Sequence, residues 1–109
     1  MRVTAKVDYA VRAATMLATH AAGDGGPLKG DRIATAQAIP VKYLENILSE
    51  LRQSGIVRSQ RGAEGGYWLA RPAADITVAD IIRAVEGPLA AVRGEAPEDV
   101  SYAGAAAPA

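Results

Sequence analysis

The chain has 109 residues, no cysteine, 12 Lys+Arg against 12 Asp+Glu, and half of its residues are apolar. That is length for one domain with one modest core, and the lack of thiols excludes disulfides, thiolate zinc sites, cysteine nucleophiles and cysteine-held iron–sulfur clusters within these residues. A net charge of zero argues against a phosphate binder, yet it is the sum of unlike parts: residues 1–71 carry ten basic and six acidic side chains (+4), residues 72–109 two and six (−4).

No apolar run approaches the roughly 20 residues that cross a bilayer, and the N-terminus lacks the layout of a signal peptide. A cytoplasmic protein with no membrane partner is the expectation. Over residues 4–21, Val7, Ala10, Val11, Ala14, Leu17, Ala18 and Ala21 fall in steps of three and four, one face of a helix with Thr4 as its N-cap. The Gly- and Pro-rich stretch 22–27 ends it. A short helix follows over 30–37, with Asp31 in its first turn and Ile33, Ala34 and Ile39 facing inward. Ala38, Ile39 and Pro40 form a tight turn into a third helix, 41–54, that buries Leu44, Ile47, Leu48 and Leu51 and stops at Gly55.

Two strands, 56–59 and 67–69, flank a seven-residue link with three glycines, which suits a hairpin loop closed by Arg71 and Pro72. Thr77 and Asp80 resemble a capping box, opening a fourth helix that buries Val78, Ile81, Ile82 and Val85 and ends at Gly87 and Pro88. Residues 89–109, without periodicity, read as a flexible tail. The fold class is mainly α with a small β-hairpin, a winged helix-turn-helix DNA-binding domain over 1–88, whose third helix enters a major groove.

The face of helix three that the core leaves free carries Lys42, Tyr43, Glu45, Asn46, Ser49, Glu50, Arg52 and Gln53. Its first turn offers a Lys for guanine O6/N7, an Asn for adenine and a Glu for cytosine N4; taken alone, the same residues also fit the solvated side of an amphipathic helix. In the hairpin, Arg58 and Arg61 bracket the bend. Gly62 beside Arg61 lets the backbone approach a phosphate or lets the guanidinium enter a minor groove, although an ordinary exposed turn has the same composition. A nucleotide-binding glycine loop is excluded, since no GxxxxGK[ST] is present.

Four motifs taken together resemble the Rrf-two family of bacterial transcription regulators, the IscR/NsrR type. They are Lys6-Val7-Asp8-Tyr9-Ala10, the run from Ile39-Pro40 to Tyr43-Leu44-Glu45-Asn46-Ile47-Leu48, the wing Arg61-Gly62 to Gly65-Gly66-Tyr67, and Ile81-Ile82-Arg83-Ala84-Val85-Glu86-Gly87. The resemblance covers roughly residues 1–90. It implies phosphate contacts by Tyr9 and by Thr4 or Lys6, base or backbone contacts by Lys42, Tyr43, Glu45 and Asn46, and a groove contact by Arg61 with Gly62. Many members hold an iron–sulfur cluster through three cysteines shortly after the Glu-Gly-Pro segment, and the corresponding region here, residues 89–100, has none. Members also continue into a long dimerising helix. Here the tail leads toward a helix that is missing or truncated, or else dimerisation is weaker or built differently.

His20, the lone histidine, has no second ligand near it in sequence and suits a helix end rather than a metal. Trp68 and Tyr67 point to opposite faces of a strand, one toward the core and the other toward a small pocket or the tail. Glu95, Glu98 and Asp99 lack calcium-loop spacing. No catalytic constellation is evident and no cofactor is expected. The functional expectation is a repressor that binds double-stranded DNA as a homodimer, open to an unknown effector or protein partner. The rivals are a winged-helix protein-interaction module that binds no DNA and, further off, a small-ligand binder or enzyme subunit.

Overall fold

The structure, a computed structural model, describes residues 4–23 and 25–87. Its elements in chain order are α1 (Ala5–Ala22), α2 (Gly30–Gln37), α3 (Val41–Gln53), the strands β1 (Val57–Gln60) and β2 (Gly66–Leu69), a single 3-10 turn (Ala73–Asp75) and α4 (Val78–Glu86). The expected tail, residues 89–109, lies outside the described residues.

α1 starts where Thr4 Oγ1 accepts from the Val7 N–H at 3.1 Å, relieving one of the donors that a helix start leaves unpaired. It buries Val7, Ala10, Ala13, Ala14 and Leu17. Ala13 was outside the predicted face, whereas Ala21, inside it, is exposed. The cause is packing on several sides: α1 touches α2, α3, α4 and β2, and small alanines widen the buried face while the last turn runs past its neighbours.

The turn between α2 and α3 depends on Ala38, whose φ of 55° and ψ of 46° are left-handed, a conformation that costs a non-glycine residue about 1–2 kcal/mol. What holds it is the next residue. Ile39 is buried and donates its N–H to the Ala34 carbonyl at 2.9 Å, so the turn anchors an apolar side chain between the two helices. Pro40 is the N-cap, just outside α3. α3 buries Leu44, Ile47, Leu48 and Leu51 as the spacing predicts. Together with Leu17, Ile33, Ile56 and Val57 they are the largest fully buried side chains.

β1 and β2 are antiparallel, pairing Val57 with Leu69, Arg58 with Trp68, Ser59 with Tyr67 and Gln60 with Gly66. A third segment, unpredicted, joins them: Leu28 exchanges backbone hydrogen bonds of 2.8 and 2.9 Å with Tyr67. That approach explains Gly66, where φ is +148° and a Cβ would lie 2.8 Å from the Leu28 backbone. A Cβ on Gly65 would collide with the Gln60 carbonyl. These two glycines close the hairpin onto its neighbours, a packing role that composition could not separate from a phosphate-binding one.

α4 has the full capping box: Asp80 N–H donates to Thr77 Oγ1, and Thr77 N–H donates to Asp80 Oδ2, each at 3.0 Å. Ile81 and Val85 are buried and Ile82 half-buried, but Val78 is 56% exposed; in the first turn it lies beyond the neighbouring helices. At the far end Thr4 Oγ1 donates to Glu86 Oε2 at 3.1 Å, tying the start of α1 to the end of α4.

Candidate nucleic-acid interface

Lys42, Glu45 and Asn46 are exposed on the first turns of α3. Their neighbour Tyr43 is half-buried and meets Tyr9 of α1 edge to face, with ring centroids 5.4 Å apart at 85°. Arg12 lies over the Tyr9 ring at 5.0 Å, pairs with Asp8 at 3.2 Å and donates to the Gln37 carbonyl at 2.9 Å. One arginine thus ties α1 to the end of α2 and braces the rings that seat α3. Sequence reasoning missed it, because nothing in its spacing marks a contact 25 residues away.

The residues expected at phosphates near the N-terminus are committed to internal contacts. Lys6 Nζ pairs with Glu50 Oε1 of α3 at 2.8 Å and its side chain is 23% exposed. Thr4 caps α1 and bonds Glu86. Tyr9 is wedged between Tyr43 and Arg12. Lys6 and Tyr9 thus set the pose of α3 against α1, and Thr4 ties α1 to α4.

In the hairpin, Arg61 and Gly62 are exposed in the link. Strand alternation separates the expected arginines. Arg58, opposite Trp68, is on one face of the ribbon, while Ser59 and its partner Tyr67 are on the other. The latter face joins α3 in a groove of about 310 Å³ lined by Ser49, Arg52, Ser59, Gln60, Arg61, Gly66 and Tyr67. Lys29, just before α2, donates to the Ala63 carbonyl at 2.7 Å and steadies the link. Trp68 lines a second groove with Leu17, Pro27 and Leu69.

Charge follows the same division. Lys6, Arg12, Arg71 and Arg83 are in ion pairs, whereas Lys29, Arg32, Lys42, Arg52, Arg58 and Arg61 have no ion-pair partner among the described residues. Apart from Lys29 and Arg32, these unmatched cations lie on α3 and the hairpin. Asp80 serves three partners: the Thr77 backbone N–H chiefly, then the Thr77 hydroxyl, with Arg83 and Arg71 nearby, hold its carboxyl below the ordinary carboxylate value against a smaller desolvation effect.

Two helices at a tight turn, a second helix with its polar face free and a β-hairpin beside it define a winged helix-turn-helix protein. Residues 3–107 match the Rrf2 family, described as iron-dependent transcriptional regulators, and the chain belongs to that family. Rv1287 of Mycobacterium tuberculosis, named as an HTH-type transcriptional regulator, is 50% identical over 104 residues, which is 95% of this chain and 63% of its own length. The regulator IscR of Photorhabdus laumondii is 42% identical over 85% of this chain and 56% of its own. Among solved structures, IscR of T. potens aligns with a TM-score of 0.72 at 45% identity, covering 80% of this chain and 62% of that one. CymR of B. subtilis, the global cysteine regulator, aligns at 0.76 and 38%, covering 95% and 78%. The chain therefore spans about three-fifths of the length of the curated relatives it matches. The family is one of transcriptional regulators, not enzymes.

The iron in the family's description finds no thiolate here: the 109 residues hold no cysteine, and no cluster of three His, Cys, Asp or Glu side chains among the described residues is placed to hold a metal ion. The donor set does not fit a cysteine-ligated iron–sulfur cluster. No helix of the described residues is long and apolar enough to cross a membrane.

Proposed function

We propose that the chain is the DNA-reading part of a cytoplasmic transcriptional repressor that binds a partly palindromic operator as a homodimer. The observation that carries the reading is the continuity of α3 and the wing: Lys42, Glu45 and Asn46 at one end, Arg52 and Arg61 around the groove at the other. Lys42 and Asn46 are assigned to purine edges, Glu45 to cytosine N4, and Arg61 with Gly62 to the adjacent minor groove. Tyr43 and Tyr9 flank the backbone, Lys6 acts by positioning α3, and Thr4 acts by tying α1 to α4. Arg58, on the other face of the hairpin, is a peripheral phosphate contact.

Fluorescence anisotropy with duplex DNA from upstream of the chain's own gene tests this. Arg61→Ala is expected to weaken binding about tenfold to a hundredfold, the 1–3 kcal/mol range of a specific groove contact, with an unchanged circular dichroism spectrum. Undiminished binding overturns the wing assignment. If the unaltered chain binds no duplex but captures an acidic protein, the interaction-module reading replaces this one.

A further inference from the structure

From the groove between α3 and the wing we infer a phosphodiester seat, in which Arg52 grips one backbone phosphate of the strand that separates the major from the minor groove, with Arg61 at the groove's edge on its way into the minor groove. The inference rests on the DNA-reading proposal and deepens it with a residue, Arg52, that neither the motifs nor the family resemblance brought forward.

Position comes first. Lys42, Glu45, Ser49 and Arg52 recur at intervals of 3, 4 and 3 residues, so they form one stripe along α3. Ten residues at a rise of about 1.5 Å set Arg52 some 15 Å beyond Lys42, on the same face but past the turn that reads bases. There the stripe meets the wing. A helix in the major groove and a wing in the minor groove have one sugar–phosphate strand between them, and the space left for it is this groove.

The lining suits that occupant. It offers two guanidinium groups, the Ser49 and Ser59 hydroxyls, the Gln60 amide and the Tyr67 phenol, and no carboxylate. Guanidinium forks match phosphate oxygens, and hydroxyl and amide donors complete the shell. The nearest acid along the helix, Glu50, is held by Lys6 at 2.8 Å. Neither arginine has an ion-pair partner among the described residues, so DNA need not break a bond to recruit them.

The test uses the 109-residue chain, its Arg52→Ala and Arg52→Lys variants, the upstream duplex and a scrambled duplex, over a series of salt concentrations. Arg52→Ala is expected to lose about tenfold or more on both duplexes alike and to flatten the log K against log salt slope by about one, the mark of a lost phosphate rather than a lost base. Arg52→Lys restores charge without the fork and recovers part of the loss. Methylphosphonate substitution at single phosphates is expected to identify one position where the parent weakens and Arg52→Ala does not. Inorganic phosphate is the control for a site that takes the free anion. If saturating phosphate shifts the Arg52 side-chain resonances while Arg52→Ala still binds duplex as the parent does, the seat is for the free ion and the DNA assignment is overturned. Equal affinity and slope for parent and Arg52→Ala overturn it as well, as does loss confined to the upstream sequence. Failure of the parent to bind any duplex overturns the regulator reading itself, with unaltered thermal melts separating every case from unfolding.

Discussion

Lys6 shows how one contact decides what a side chain is for. With Nζ 2.8 Å from Glu50 and both side chains about one-quarter to one-third exposed, the pair is screened by solvent and contributes on the order of 0.5–1 kcal/mol. Lys6→Ala and Glu50→Gln should each lower stability by that order, and the double variant by less than the sum, read as a coupling in urea titrations. The DNA readout separates roles: a positioning Lys6 has no further effect once Glu50→Gln is present, whereas a phosphate-binding Lys6 would still lower affinity and salt slope in that background. A sequence motif places Lys6 near DNA but cannot show that α3 supplies a carboxylate first, because the partner is 44 residues away. The same limit hid the distant contacts of Arg12 and Lys29, which are to backbone carbonyls. Lys42, Glu45 and Asn46 were legible because amphipathic spacing alone determines which side of a helix stays outside.

At the scale of elements, the local codes were readable and the close approaches were not. Thr77 and Asp80 sit three apart and form the capping box; Thr77→Ala should therefore cost about 1 kcal/mol, a fall in Tm of roughly 4–8 °C for a domain of this size. Asp80 adds a pH signature. Because its carboxyl is depressed below 3.8 in the folded state, its stabilisation is complete above that value and drains away as pH falls through the lower, folded value. Asp80→Asn should consequently lie below the parent in Tm at neutral pH, with the gap closing in acid below about pH 4; a constant gap would deny the carboxylate its part. Ala38 is the opposite case, a residue that disagrees with its local geometry. Ala38→Gly should remove the left-handed strain and raise stability by up to about 1 kcal/mol, with DNA affinity unchanged, measured by thermal melt and anisotropy together. The pairing of Leu28 with Tyr67 was invisible beforehand, since it brings a loop to a strand edge 39 residues away with no periodic signal. With it went the reason for Gly66.

Across the whole molecule, neutrality of the chain coexists with local polarity. The 12 positive and 12 negative side chains cancel in the total, but Lys6, Arg12, Arg71 and Arg83 spend their charge inside the fold. Lys42, Arg52, Arg58 and Arg61 do not, and they lie along α3 and on the hairpin. Long-range attraction of a neutral chain to a polyanion is weak, whereas close contacts that displace condensed counterions follow the local cations. Each cation that displaces a condensed counterion contributes about −0.9 to the slope of log K against log salt, so four such cations predict a slope of about −3.6 per chain. Raising salt from 50 to 200 mM, a fourfold step, should then weaken each bound chain about 150-fold. A slope near zero would mean that the free cations never reach phosphate and would leave the interaction-module reading in possession. A slope of about −6 per chain would mean that the paired cations also open onto DNA, and Lys6→Ala would then flatten it. A slope of about −3.6 that drops to about −2.7 in Arg52→Ala, and to about −1.8 when Arg61→Ala is added, is the outcome that the division between paired and unpaired charge requires.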